Sequence, residues 1–235
     1  MIFKTEAEFE VAMIAALQNK GWENHVLKYP TEKDLLKNWA DILFENNRGI
    51  DRLNDAPLTD TEMQQILEQV TALRTPLKLN GFINGKTVSI TRDNPDDSLH
   101  LGKEVGLKIY DRREIAAGQS RYQIAQQPKF RSASKILGDR RGDLMLLING
   151  MPVFHVELKK SGIPVSQAYH QIEKYSDEGI FTGIFSLVQI FVAMQPEETV
   201  YFANPGPDGV FNKDFYFHWA DFNNEPINNW KDIAT

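Results

Sequence analysis

The sequence predicts an α/β fold, a mixed central sheet flanked by helices. Three features carry that expectation. A capping signal near the N-terminus precedes an apolar stripe at helical spacing; residues 143–159 alternate as two strands around an Asn-Gly turn; and a Gly/Pro break then leads into another helix and an apolar strand. The 235 residues suffice for one large domain or two small ones. One domain is expected, with core elements in about 1–24 and 120–220 and an elaboration of about 25–120 packed on them.

Taken in order, Thr5 can cap a helix with Glu8 at the capping-box position, running to about Asn19. Its stripe is Phe9, Ala12, Met13, Ala16 and Leu17. At about 100° per residue Glu10 falls near Ile14 and Leu17, on the core-facing side. An acid there is costly unless it is paired or bound to a cation. Thr31 begins a second helix through Leu35, Leu36, Trp39, Ile42 and Leu43. Thr59 or Asp60 begins a third through Met63, Ile66, Leu67, Val70 and Leu73, stopped by Pro76. Strands are expected over Leu77–Thr91, Val105–Tyr110 and Tyr122–Gln126. Gly81 to Thr87 mimics a phosphate loop, but its glycines stand one residue too close and Asn84-Gly85 reads as a hairpin turn. No other such loop exists, so this chain alone is not expected to hydrolyse ATP. Asp143–Ile148 and Val153–Lys159 form the strand pair, Val165–Asp177 the helix after Gly162 and Pro164, and Ile184–Met194 a buried strand. Val200–Asn204 and Phe211–Trp219 read as further strands, with Phe215, Phe217 and Trp219 as core aromatics.

Composition narrows the function. The absence of cysteine removes disulfides, thiolate metal sites and cysteine nucleophiles, and suits a reducing, cytoplasmic setting. The acidic start MIFKTEAEFE is no secretory signal, and the apolar stretch Ile180–Met194 is too short and too interrupted to span a bilayer, so no membrane partner is expected. The net charge of −6 argues against a free-standing DNA-binding protein, because neutralising phosphates supplies most such affinity. A basic run between Lys103 and Arg141 (Lys108, Arg112, Arg113, Arg121, Lys129, Arg131, Lys135, Arg140) reads equally well as a solvated loop or a DNA-facing surface.

The chemistry concentrates in the strand pair. Thirteen residues separate Asp143 from Glu157-Leu158-Lys159. Alternation puts Glu157 and Lys159 on one strand face among Val153, Phe154, Val156 and Leu158. Charges on a buried strand need a reason; a structural ion pair is one and a metal site is another. Two carboxylates can hold Mg²⁺, a hard cation that prefers oxygen ligands and keeps several waters, and a lysine can orient water or stabilise charge developing on phosphate. A two-residue turn at Asn149-Gly150 would pair Asp143 with Val156 and turn the two acids apart. A three-residue loop, or a bulge near Pro152, would bring them together.

The array Asp143…Glu157-Leu158-Lys159 resembles the PD-(D/E)xK nuclease motif, with Gly142 in place of the usual Pro. Its surroundings are more specific: Arg141 through Lys160, Gln171-Ile-Glu-Lys-Tyr175, Tyr201-Phe-Ala-Asn204 and the N-terminal Glu6…Glu10…Gly21-Trp22 resemble the N-terminal nuclease domain of type I restriction R subunits. The resemblance covers most of the chain and is weakest over about 25–130. It implies that Asp143 and Glu157 bind catalytic Mg²⁺, that Lys159 supports hydrolysis, and that the Leu158 carbonyl and Glu10 are further ligand candidates. Gln171 and Tyr175, one turn apart on a helix, would position DNA or the lysine, with Glu6 as a lesser candidate. It further implies cleavage of double-stranded DNA after ATP-driven translocation by motor domains outside this chain, alongside methyltransferase and specificity subunits that would hold the DNA. A non-catalytic docking module with a nuclease fold and a stand-alone repair nuclease are the alternatives. His155 has no neighbouring histidine for a zinc site and reads as structural.

Overall fold

The computed structural model describes residues 2–73, 86–109, 120–131 and 138–233. In chain order these form α1 (Glu6–Gln18), β1 (Val26–Lys28), α2 (Glu32–Asn47), α3 (Asp60–Thr71), β2 (Thr87–Thr91), β3 (Glu104–Lys108), β4 (Tyr122–Gln126), β5 (Lys129–Phe130), β6 (Arg140–Arg141), β7 (Leu144–Ile148), β8 (Met151–Leu158), α4 (Ser166–Asp177), β9 (Ile190–Gln195), β10 (Glu198–Ala203), β11 (Phe217–His218) and α5 (Trp230–Ile233). Thr5, Thr31 and Thr59 each close a reciprocal capping box with the acid three residues on, which starts α1, α2 and α3 where the sequence places them. The anticipated Asn84-Gly85 hairpin, Pro76, and the basic residues Arg112, Arg113 and Lys135 lie outside the described residues.

Seven strands make a mixed sheet in the order β1-β4-β7-β8-β9-β10-β11. The pairs β1–β4 and β8–β9 are parallel and the remainder antiparallel. One face carries Ile124, Leu144, Leu146, Val156, Leu158, Val192 and Met194 and is covered by Phe9, Met13 and Leu17 of α1, with Trp230 of α5. The opposite face carries Ala125, Met145, Leu147, Phe191 and Ala193. It shares a continuous apolar core with Leu35, Trp39 and Leu43 of α2, with Ala168 and Ile172 of α4, and with Ile66, Val70, Val88, Ile90, Val105 and Leu107 of α3 and the β2–β3 ribbon. The sheet also reaches into the segment read as elaboration, because Val26–Lys28 is its edge strand. No helix among the described residues is long and apolar enough to cross a membrane.

Two expectations are corrected. The apolar stretch from Ile184 is not one strand. Gly183–Leu187 is a 3-10 turn and the strand begins at Ile190. Gly183 sits at φ +55°, and the Glu32 carboxylate of α2 accepts the Ile184 N–H at 3.2 Å; a turn buries Ile184, Phe185 and Leu187 as well as a strand would, so hydrophobicity alone does not separate the two. Nor do Phe215 and Phe217 join the core: they are 63% and 50% exposed, Phe215 at the end of a short 3-10 turn and Phe217 at the start of the two-residue β11. Trp219 is partly buried and packs edge-on against Tyr201 at 5.1 Å.

Candidate metal and nuclease site

The β7–β8 hairpin sets the geometry. Asn149 and Gly150 sit at φ +50° and +82°, the conformation a two-residue hairpin turn requires, and pair Ile148 with Met151. Gly150 is needed for space as well, since a Cβ there would stand 2.9 Å from the Trp39 Cα. Taken alone, this turn would separate the two acids. The ladder then slips: Leu147 pairs with Pro152 but Leu146 with Phe154, leaving Val153 as a bulge. Beyond it Met145 pairs with His155 and Leu144 with Val156, and one further step brings Asp143 opposite Glu157. The bulge beside Pro152, which has no N–H to give the ladder, thus turns Asp143, His155 and Glu157 to the same face.

At this end of the hairpin, groups from both sides of the sheet converge. Asp143 accepts the Leu158 N–H at 2.7 Å. Lys159, just past β8 and buried, donates from Nζ to Gln171 Oε1 of α4 at 2.9 Å, and also lies 3.5 Å from Glu6 Oε1 and 4.0 Å from Glu157 Oε1. Gln171 Nε2 donates to the Tyr175 hydroxyl at 2.8 Å, which in turn donates to the Arg141 carbonyl at 3.0 Å. Burial, then the nearby Glu157 charge, pushes Tyr175 up to about 12, so the phenol remains the neutral donor this chain requires. Glu10 is buried on α1, as helical spacing predicts. It accepts from the side-chain amides of Gln126 and Gln127, and its charge adds to those that disfavour ionised Asp143. The structure therefore brings Asp143, Glu157, Lys159, Gln171, Tyr175, Glu6 and Glu10 to one place. The Leu158 backbone is there through its N–H.

Sequence reasoning missed several of these contacts. Gln126 ends β4, and Gln127 just past it, at φ +50°, donates its N–H to the Asp143 carbonyl at 2.7 Å. The Arg141 carbonyl anchors α4. His155 Nε2 lies 3.3 Å from Glu157 Oε2. A polar Gln-Gln pair at a strand end was the one visible signal.

Burial and mutual repulsion disfavour two ionised acids here. Burial, reinforced by Glu157, raises Asp143 well above the ordinary carboxylate range, against the pull of the Leu158 N–H and Lys159. Burial likewise pushes Glu157 up to about 8, with Lys159 pulling it down. Glu157 Oε2 is buried with no hydrogen-bond partner. Among the described residues no three His, Asp or Glu form a ready-made cage. Two carboxylates with an orphaned oxygen nevertheless suit Mg²⁺, which is commonly held by one or two carboxylates while keeping waters.

The sign of the resulting pH dependence follows. Between about 4.5 and about 8 the folded protein keeps a proton on Glu157 that the unfolded chain has released, so metal-free stability falls as pH rises across that window and levels off above it. Glu157→Gln, which cannot ionise, is therefore expected to raise the Tm of the metal-free protein at pH 8 and to change it little at pH 4. A lowered Tm at pH 8 would show that the ionised carboxylate is stabilised there.

A family model described as the N terminus of the type I restriction enzyme R protein matches residues 3–209. The chain belongs to that family. It is 32% identical over 228 residues to a type I restriction enzyme endonuclease subunit of Staphylococcus saprophyticus, covering 97% of this chain and 22% of that one. It is 30% identical over 238 residues to the corresponding subunit of Staphylococcus aureus strain MSSA476, covering 100% and 23%. With the EcoprrI endonuclease subunit of Escherichia coli it shares 27% over 239 residues, covering 99% and 69%. The chain spans under a quarter of the length of the staphylococcal relatives. Its family is one of restriction endonuclease subunits, and the match is to the N terminus of the R protein.

Proposed function

We propose that this chain is a PD-(D/E)xK nuclease domain that hydrolyses phosphodiester bonds of double-stranded DNA with Mg²⁺. One observation carries the reading: the bulge at Val153 sets Asp143 and Glu157 on one face of adjacent strands, with Lys159 beside them. Asp143 and Glu157 would hold the ion, with the Leu158 carbonyl and Glu10 as supplementary donors. When bound, Mg²⁺ supplies a water of lowered pKa and a positive charge for the phosphate. Lys159, held by Gln171 and through it by Tyr175, keeps its ammonium beside that oxygen pair, where it can orient the attacking water or stabilise charge developing on the phosphate oxygens. Gln171 and Tyr175 thus act on the lysine. Glu6, half-exposed at the rim, restrains Lys159 from the other side.

In this reading a single domain holds a core in about 1–28 and 120–220, the edge strand β1 included, with the segment between as an elaboration packed on it. ATP-driven motor segments, together with methyltransferase and specificity subunits, supply translocation and site recognition in the cytoplasm. This division of labour accounts for a net charge of −6 on a domain that acts on DNA.

Plasmid nicking with Mg²⁺ tests the proposal, comparing the parent chain with Asp143→Ala and Lys159→Ala. Nicking by the parent that disappears in both variants is expected. DNA binding with no cutting, and no uptake of divalent ion in a parallel titration, would favour the docking-module reading.

A further inference from the structure

We propose that His155 is a positioning residue for Glu157: its Nε2–H donates to Glu157 Oε2 and fixes the orientation of that carboxylate, while Gly142 makes room for the imidazole. The inference rests on the nuclease reading insofar as it treats Glu157 as a metal ligand.

Alternation along β8 puts both side chains on one face, and Nε2 lies 3.3 Å from Oε2 with both residues essentially sealed from solvent. Neither ring nitrogen of His155 nor Oε2 of Glu157 has a hydrogen-bond partner of good geometry. The walls around the imidazole are rings: Phe130 at 5.8 Å, Phe181 at 5.4 Å and Phe191 at 6.2 Å between centroids. Such a box offers neither nitrogen a partner. A phenylalanine or leucine would fill it without burying two polar atoms, and buried polar atoms are normally paired. Glu157 Oε2 is the acceptor within reach, 3.3 Å away, and the proposed bond forms once N–H and oxygen are brought into line. A neutral imidazole carries one N–H and can present it to an oxygen.

Gly142 gives independent support. A Cβ at this position would stand 2.5 Å from His155 Cε1 and 3.0 Å from Phe130 Cε2. A side chain at 142 and an imidazole at 155 therefore exclude one another, which accounts for the glycine that replaces the proline of the resembling motif. In metal sites, groups that orient a ligand from behind commonly change affinity about 10–100-fold when removed.

Two measurements decide the matter separately. In the metal-free protein at about pH 9, where Glu157 is ionised, long-range ¹H–¹⁵N spectra of the His155 ring should report the Nε2–H tautomer, with a shift that moves in Glu157→Gln; an Nδ1–H ring, or one indifferent to residue 157, overturns the contact whatever the metal does. Calorimetric titration with Mn²⁺ should then show His155→Phe binding about 10–100-fold more weakly than the parent, and His155→Gln recovering much of the loss because its amide can donate. Tm serves as the check on folding. Equal Mn²⁺ affinity in parent and His155→Phe overturns the positioning role. A parent that takes up no Mn²⁺ overturns the nuclease reading instead, and the spectra still decide the hydrogen bond.

Discussion

Lys159→Met is expected to slow DNA cutting about 10²–10³-fold while leaving divalent-ion binding intact or stronger. Methionine keeps most of the side-chain volume in a nearly buried position, so the fold should tolerate the change. What is lost is the cation held 2.9 Å from Gln171 and 4.0 Å from Glu157. Removing a preorganised charge or donor of this kind typically lowers a rate by about 10²–10³-fold. Without the ammonium, the Asp143–Glu157 pair is less compensated and attracts a divalent ion more strongly. Asp143→Asn should behave differently, because it withdraws a carboxylate from the ion itself and loses binding and cutting together. Nicking rates and Mn²⁺ titrations on the two variants therefore separate a group acting on the phosphate from one acting on the metal. If Lys159→Met cuts at the parent rate, the lysine is only a structural counter-ion.

A second large effect is expected far from the site. Arg92→Ala should lower the stability of the protein by about 3–5 kcal/mol, the usual cost of stranding a buried partner charge. That would be a large share of the roughly 5–15 kcal/mol that holds most domains together. The Arg92 side chain is fully buried and donates to Glu62 at 2.6 Å, Asp97 at 3.0 Å and the Ala56 carbonyl at 2.8 Å. These contacts tie the start of α3 to the loops flanking the β2–β3 ribbon. Burial alone would raise Asp97, but hydrogen bonds from Arg92, His100 and Asn54 outweigh it and hold the carboxyl at about 2. Its contribution is present above about 3.8 and is lost as pH falls toward about 2. Urea unfolding at pH 7 should show the loss, and hydrogen exchange should place it first in residues 53–73 and 86–107. A change below 1 kcal/mol would mean that water reaches the stranded acids and satisfies them.

The contrast between what was legible in the sequence and what was not follows contact distance. The Thr5–Glu8 capping box, the helix starts at Thr31 and Thr59, and the Asn149-Gly150 turn depend on neighbours a few residues apart, and the structure has them where the sequence places them. The Val153 bulge was one of the open alternatives; the missing N–H of Pro152 marks the place, but which alternative forms depends on the opposing strand. Val26–Lys28 could not be seen as a strand, because three residues carry little periodicity and the parallel partner is Ile124–Gln126. Ile184–Leu187 was misread because the Glu32 carboxylate that receives the turn comes from a distant helix. At the site, residue types and spacing indicated Asp143, Glu157 and Lys159. The links from Lys159 through Gln171 and Tyr175 to the Arg141 carbonyl, and the amides holding Glu10, appear only when the sheet and α4 are assembled.

A crystal soaked in Mn²⁺ and examined by anomalous scattering tests the central claim most directly. The expected result is a strong peak between the carboxylates of Asp143 and Glu157, the two side chains that would hold the ion. A peak elsewhere, or none between those two side chains at saturating Mn²⁺, would contradict the account.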